Sequence, residues 1–551
     1  MIIFTKMAFG LPVGLCLAVA IIVHVGEVLS VPTPSWGDSY HVMGTLQLPY
    51  AEIVEPFEAY YDAKNNKSKV SYYGGMVDTY QRADMDKNGV SFKVAPMTNY
   101  KVTNVQTCFR VNGTANATVT IQGVLPDMKG FKLVGKETIN NEKCNKWILK
   151  SGDNTKMNVY MMWVSQNNAT PVRYEMHGYD SLLGSHYDRY YIDYRNFQST
   201  DIVNTTFDVP KNLTCSGFPG PGLKESQILM NPMQEYINMF DQHINEMFEG
   251  FKLKHKPKYN SDKEHTQRKH TFRQNVRFIH SKNRAGLTFR LAVNHLADRS
   301  DEEIKLMRGL KITPGNHGGL PFDKSKYSLQ AIPEHLDWTL YGAVTPVKDQ
   351  GVCGSCWSFG TTGTIEGAFF LKHGYQVRLS QQQLIDCSWG EGNNGCDGGE
   401  DFRSYHFIQK NGGLTTEDQY GQYLAQDGYC QKNNIKPVVN IQDYVNITSG
   451  DKQALMLAIA NKGPISVGID ASHKSLSFYA NGVYYEPACG NTVDDLDHAV
   501  LAVGYGVMNG EAYWLIKNSW STYWGNDGYV LMSQRNNNCG VATSATYVIL
   551  L

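Results

Sequence analysis

The sequence lacks an excess of charge of either sign. Its 551 residues carry 51 Lys and Arg against 52 Asp and Glu, a formal net charge of -1. Bulk electrostatics therefore give it no pull toward nucleic acid or an anionic membrane surface. It also lacks any repeat of solenoid period. It is not short of aromatic residues: 33 Tyr and 22 Phe leave too much to bury for most of the chain to be disordered. Hydrophobic residues make up 42%, enough for real cores. At roughly 100–200 residues per domain the chain is too long for one compact unit, so about two to four are expected.

The first thirty residues read as a signal peptide. Lys6 is the only charge before an apolar run from Met7 to Val25, interrupted only by Gly, Pro12 and His24, and Val28 and Ser30 supply small residues for cleavage after Ser30. Entry into the secretory pathway, with an extracellular, lysosomal or granule destination, is the expectation. No membrane span is expected once the leader is removed. Secretion predicts glycans, and sequons stand at Asn66, Asn112, Asn116, Asn168, Asn204, Asn212 and Asn446.

Residues 31–222 are predicted to be a β-rich domain. Short runs with Tyr, Val and Thr recur between turn signals, at Val70–Tyr73, Gln106–Val111, Lys146–Leu149, Asn158–Val164 and Tyr187–Tyr194. The stretch Gly217–Gly222, which reads GFPGPG, has a composition that holds neither helix nor strand and reads as a linker. From Met230 to Leu310 charged and apolar residues mix at helical spacing. A second turn-rich stretch, Thr313–Gly319, follows, and such polar segments are where proteases nick a chain. Beyond it, Cys356–His373 suits a helix stopped by Gly374, with Phe359, Ile365, Ala368 and Phe369 able to share a face. Ile465–Ile469, Ala499–Tyr505, Ala512–Ile516 and Tyr529–Met532 read as strands.

Thiol catalysis needs a thiolate, a base that takes and returns a proton, an orienter for the base and donors for an oxyanion. Cys356 opens a predicted helix, where the dipole lowers a thiol pKa. Around it the chain reads QGVCGSCW from Gln350 to Trp357. Downstream, DHAV from Asp497 opens a predicted strand and KNSW from Lys517 closes one. Together these segments resemble the papain and cathepsin L type of cysteine protease, whose nucleophile signature is matched from Cys353 to Trp357. The resemblance implies Cys356 as nucleophile, His498 as acid and base, and Asn518 as the orienter of His498. It makes Gln350 and the backbone N–H of Cys356 the oxyanion donors. Trp520 would shield the His–Asn bond from water at the edge of the substrate-binding cleft. It also implies Gly398 and Gly399 as a bare backbone rail for substrate, and a pocket formed by Glu400, Asp401, Gly468, Ala499 and Ser544. The two acids suggest that this pocket accepts Arg as well as Phe or Leu. Ser521 stands where the family usually has Gly. No metal or other cofactor is expected.

Residues 320–551 hold seven cysteines, so setting the nucleophile aside leaves an even six, with more than a dozen possible pairings. The resemblance implies Cys353–Cys396, Cys387–Cys430 and Cys489–Cys539. The β-rich region has three, Cys108, Cys144 and Cys215, of which Cys108–Cys144 is the preferred pair. Glu264, Arg268, Phe272, Asn275, Ile279 and Asn283 are spaced 4, 4, 3, 4 and 4, on one face of a helix. Their identities resemble the interspersed motif of the papain-family inhibitory propeptide. A second propeptide motif is half matched by Ala292, Asn294, Leu296 and Asp298.

The expected layout is a signal peptide at 1–30, the β-rich domain at 31–222, the propeptide at 223–325 and the peptidase at 326–551. The fold class is α+β: a papain-like two-lobe peptidase, one lobe helical and one a β-barrel, preceded by a helical propeptide and an antiparallel β-rich domain. The β-rich part resembles ependymin-type domains, curved sheets with an apolar concavity. The whole is similar to insect haemocyte cysteine proteinases that mature into two chains. The function implied is a secreted or lysosomal endopeptidase made as a precursor, with proteins and peptides as substrates, its own propeptide as inhibitor and its N-terminal domain as a retained second chain. The alternative is a lipid- or surface-binding β domain that carries the protease as cargo or as an inactive module.

Overall fold

The computed structural model describes residues 31–98, 101–153, 155–218, 228–239, 242–431 and 435–551. The expected signal peptide and residues 219–222 of the expected linker lie outside them.

Six strands from Ser39–Leu48 to Val105–Asn112 follow one another as antiparallel neighbours. Five more, from Lys132–Ile139 to Ser185–Gln198, do the same. The two meanders join where Ser39–Leu48 pairs with Ser185–Gln198, with Leu46 opposite Ile192. Alternation decides which face is buried: Ile53, Phe57 and Ala59 point one way while Val54 and Pro56 are exposed. Gly217 is not purely linker, because Cys215–Gly217 adds a short parallel strand beside Val105–Asn112.

The preferred pair Cys108–Cys144 is not formed. Cys108 bonds Cys215, directly opposite it in that parallel register, and Cys144 is a buried free thiol. Strand order is the reason. Cys108 lies one strand from one edge of the sheet and Cys144 one strand from the other.

Next come the helices Gln242–His255 and Asp262–Arg284. The second is capped at its start by the Ser261 hydroxyl, which accepts from the Glu264 N–H, and has Asp262 and Glu264 in its first turn and Lys282 and Arg284 in its last. A short helix, Asp301–Leu306, begins with a Ser300–Glu303 capping box. The expected motif face holds this region together. Arg268 reaches Glu303, Asn275 donates to the Ala297 carbonyl at 2.9 Å, and Asn283 brackets Leu291 by donating to its carbonyl and accepting from its N–H. Phe272 and Ile279 are buried between.

In the C-terminal part, the helix Cys356–His373 lies against the sheet that contains Ile465–Ile469 and His498–Met508. Three glycines let it come close. A Cβ at Gly360, Gly363 or Gly367 would stand within 2.4–2.7 Å of Ser466, Leu501 or Pro464. The helix is buried nearly all round, not on one face only, because a second apolar cluster covers its other side. Gly374 ends it at φ +79°. Outer strands of this sheet come from upstream: Phe289–Leu291 pairs with Tyr479–Tyr484, and Leu320–Pro321 with Ile441–Asn446.

Candidate active site

Cys356 is the first residue of its helix, and Ser355 does not cap it, since the Ser355 hydroxyl pairs with the Tyr423 hydroxyl. His498 opens its strand, and Asn518 follows the end of Glu511–Lys517, which pairs beside it. His498 Nε2 lies 2.8 Å from Asn518 Oδ1. The Trp520 ring covers the imidazole at 4.7 Å between centroids. Gln350 is held by Ser519, whose hydroxyl donates to Oε1 at 2.6 Å.

The cleft is occupied by the chain itself. Gly399 N–H donates to the Gly309 carbonyl at 2.9 Å, and Lys311 N–H to the Gly399 carbonyl at 3.1 Å, a parallel bridge on the glycine rail. Gly309 N–H donates to Cys356 Sγ at 3.3 Å. A Cβ at Gly309 would lie 1.8 Å from the Gly354 carbonyl oxygen, so only glycine fits so close to Cys356. Gln350 Nε2, the expected oxyanion donor, is spent on the Met307 carbonyl at 2.8 Å and the Cys353 carbonyl at 2.7 Å.

This plug sets the electrostatics. Cys356 and His498 are both fully buried. Burial pushes the thiol up to about 12, against backbone donors including Ala499 and Gly309, and pushes His498 down to about 4 despite the Asn518 bond. The helix dipole expected to lower the thiol is overridden while the cleft is filled. His498 Nδ1 is buried and has no hydrogen-bond partner.

The expected pocket residues come together. A cleft of about 340 Å³ is lined by Glu400, Asp401, Gly468, Ala499 and Ser544, with Leu310 entering it. Glu400 accepts from Thr313 N–H and from the Thr313 hydroxyl at 2.8 Å, and pairs with Arg403 at 3.6 Å. Asp401 accepts from the Thr546 hydroxyl at 3.0 Å, and burial pushes its carboxyl up to about 6. Thr313–Gly319 is only partly the open loop its composition suggests. Pro314, Gly315 and Asn316 are exposed, but His317 stacks on Phe402 at 4.2 Å.

Sequence reasoning missed Met307, Arg308 and Leu310. Arg308 pairs with Asp497 at 2.9 Å, next to the candidate base. Gly309, between Arg308 and Leu310 just after a helix, was the available signal, but only the filled cleft gives it meaning. The disulfides Cys353–Cys396, Cys387–Cys430 and Cys489–Cys539 are present. All seven sequon asparagines are exposed, although Asn446 Nδ2 donates to the Gly318 carbonyl at 2.8 Å. No helix among the described residues is long and apolar enough to cross a membrane.

A model of the papain family of cysteine proteases matches residues 332–549, and one of the cathepsin propeptide inhibitor domain (I29) matches 248–304. Digestive cysteine proteinase 1 of Homarus americanus is 46% identical over 312 residues, covering 55% of this chain and 94% of that protein. Procathepsin L of Rattus norvegicus is 42% identical over 323 residues, covering 56% of this chain and 94% of its own. The solved digestive procathepsin L 3 of Tenebrio molitor larval midgut is similar at a TM-score of 0.51 and 38% identity, over 56% of this chain and 99% of that one.

Proposed function

The chain belongs to the papain family of cysteine proteases, as a cathepsin L-like precursor with an inhibitor-type propeptide, and from that premise we propose that it is an endopeptidase acting through Cys356, His498 and Asn518 once the propeptide leaves. With the cleft open, the Cys356 thiolate attacks the substrate carbonyl carbon and the charge moves to the carbonyl oxygen. Gln350 Nε2 and the Cys356 N–H then take that oxygen in place of the Met307 carbonyl. His498 protonates the leaving amine and deprotonates the water that hydrolyses the acyl-enzyme. Asn518 Oδ1 accepts from Nε2–H, so Nδ1 faces the reaction.

The observation that carries this reading is the plug. Gly309 sits on the thiol and Met307 on the oxyanion donor, so the segment stands where a substrate would react. Endopeptidase action is supported by the short Ser388–Gly395 connection, which leaves no room for a long His-bearing insertion of the kind that caps the cleft in carboxydipeptidase relatives. Exposed sequons and closed disulfides support passage through the secretory pathway to an extracellular or lysosomal site. The activating cut belongs between Lys311 and Ile332, where Pro314–Asn316 is exposed.

The test is hydrolysis of a peptidyl fluorophore by the acid-processed protein. Cys356→Ala should abolish it and His498→Ala should be about as damaging, because groups acting as a unit fail together. Asn518→Ala should cost less. Retained turnover in Cys356→Ala, or full activity of a precursor made uncleavable across 311–332, would defeat the proposal.

A further inference from the structure

Two carboxylates break the pattern of the N-terminal sheet. Glu55 stands on the same face as Ile53 and Phe57, and Asp188 on the same face as Tyr190 and Ile192, yet they are 0% and 1% exposed. A buried, unpaired carboxylate is costly. Their partners are not in the sheet. Arg284 chelates Glu55 at 2.5 and 2.8 Å, and the Ser281 hydroxyl donates to the same carboxylate at 2.8 Å. Arg277 donates to Asp188 at 2.7 Å and to Glu235 at 2.7 Å. Gln274 donates to Asp188 at 3.1 Å, and Arg273 lies 3.6 Å from it. Tyrosine rings flank each guanidinium: Tyr72 at 5.3 Å from Arg284, Tyr190 at 5.8 Å from Arg277 and Tyr187 at 5.8 Å from Arg273.

All five helix residues, Arg273, Gln274, Arg277, Ser281 and Arg284, belong to Asp262–Arg284. At about 100° per residue, positions 273, 277, 281 and 284 lie opposite the inhibitory motif face of 268, 272, 275, 279 and 283. The helix therefore has two jobs on two faces. One face builds the inhibitor core, which reaches the protease through Ala292 and Asn294 to Phe478 and Ser477. The other inserts cations into the sheet. Glu55 and Asp188 find their cations on the helix: Arg284 answers Glu55, and Arg277 is shared between Asp188 and Glu235.

We propose that the N-terminal β-rich domain is a receptor for the back of the inhibitory helix. The domain and propeptide form one inhibitory body, and its grip on the helix slows loss of the plug after the cut between 311 and 332. This rests on the inhibitory reading of the propeptide, so the experiment has one arm that does not depend on it.

In the first arm a site-specific protease sequence replaces Pro219–Gly222 in full-length Cys356→Ser protein, and the severed protein is run on size exclusion at neutral pH. The expected result is co-elution of the N-terminal piece with the rest, and its separation in the Glu55→Gln, Asp188→Asn double variant. In the second arm, acid self-processing of active full-length precursor is timed. The double variant should shorten the lag by about ten-fold or more, with unchanged kcat/KM of the mature enzyme. An N-terminal piece that elutes alone from the severed parent, or an unchanged lag in the variant, would overturn the proposal. A parent that is active with no lag counts against the inhibitory reading instead, and the first arm still decides the receptor.

Discussion

At the scale of single residues, burial in the precursor holds the proposed catalytic pair, Cys356 and His498, away from the charged states that catalysis would need. With the thiol raised to about 12 and the imidazole lowered to about 4, both groups are neutral across the physiological range. Iodoacetamide should therefore label Cys356 very slowly in the intact precursor between pH 5 and 8 and far faster once the propeptide is gone. Mass-spectrometric labelling rates check this, and equal rates before and after processing would refute it. Ser521 is held at φ +69°, a left-handed conformation in which a Cβ costs about 1–2 kcal/mol. Ser521→Gly should raise the stability of the mature enzyme by about 0.5 kcal/mol, part of the relief being offset by the freer unfolded chain. A lower urea midpoint in the variant would contradict this. In the pocket, Glu400 already has Arg403 near it, so tolerance of a substrate Arg depends on competition between two cations. The expected outcome is that Glu400→Leu lowers kcat/KM for Arg relative to Leu peptides; an unchanged ratio removes Glu400 from specificity.

At the scale of elements, caps made helix ends readable and packing made their faces unreadable. Cys356–His373 begins and ends as expected, because its stop is local: Gly374 takes the left-handed turn and donates to the Phe370 carbonyl. Its single expected face was too narrow, because the glycines that admit the sheet look neutral in a pattern of apolar positions. The motif face of Asp262–Arg284 was legible by spacing, while its cationic back face reads as ordinary solvated surface until the sheet supplies Glu55 and Asp188. Phe272 is fully buried where the inhibitor helices meet. Phe272→Ala should cost the propeptide about 3–5 kcal/mol. The precursor should then show hydrolysis at neutral pH before any cut. A silent, uncut Phe272→Ala precursor would show that the plug holds without its core.

At the scale of the whole molecule, histidines on the gripped helix make the grip depend on pH. Burial pushes His270 down to about 4 and His280 to about 3, from an ordinary 6.5. His270 stacks on Tyr187 and faces Asp180, Arg273, Lys156 and Asp188; His280 faces Arg284, Glu235, His243 and Lys93. Both stay neutral while docked and gain a proton near 6.5 once released, so the released state binds more protons between about 6.5 and 4. Docking is strongest above 6.5 and weakens as pH falls, by up to about ten-fold per pH unit for each His. The carboxylate of Asp188 is held low by Arg277 and Arg273 against burial, so it does not oppose this in the same window. Severed protein should therefore separate more readily at pH 5 than at pH 7.5, and His270→Phe should flatten the dependence. Equal retention at both pH values would exclude it.

Short-range chemistry made a definite part of this molecule legible along the chain. A Cys at a helix start among Gly and Ser, a His opening one strand and an Asn closing another, a motif at helical spacing and an even set of six cysteines are all statements about neighbours along the chain. The rest follows from packing in space. Cys108 meets Cys215 and not Cys144, because strand order separates the latter by nearly the width of the sheet. Gly309 closes the thiol because a chain segment some fifty residues upstream in sequence lies across it. Asp188 and Glu55 are sockets for Arg277 and Arg284, residues far apart along the chain. Burial, and with it the protonation of Cys356 and His498, is a property of what surrounds a group in space, which no pattern along the chain encodes.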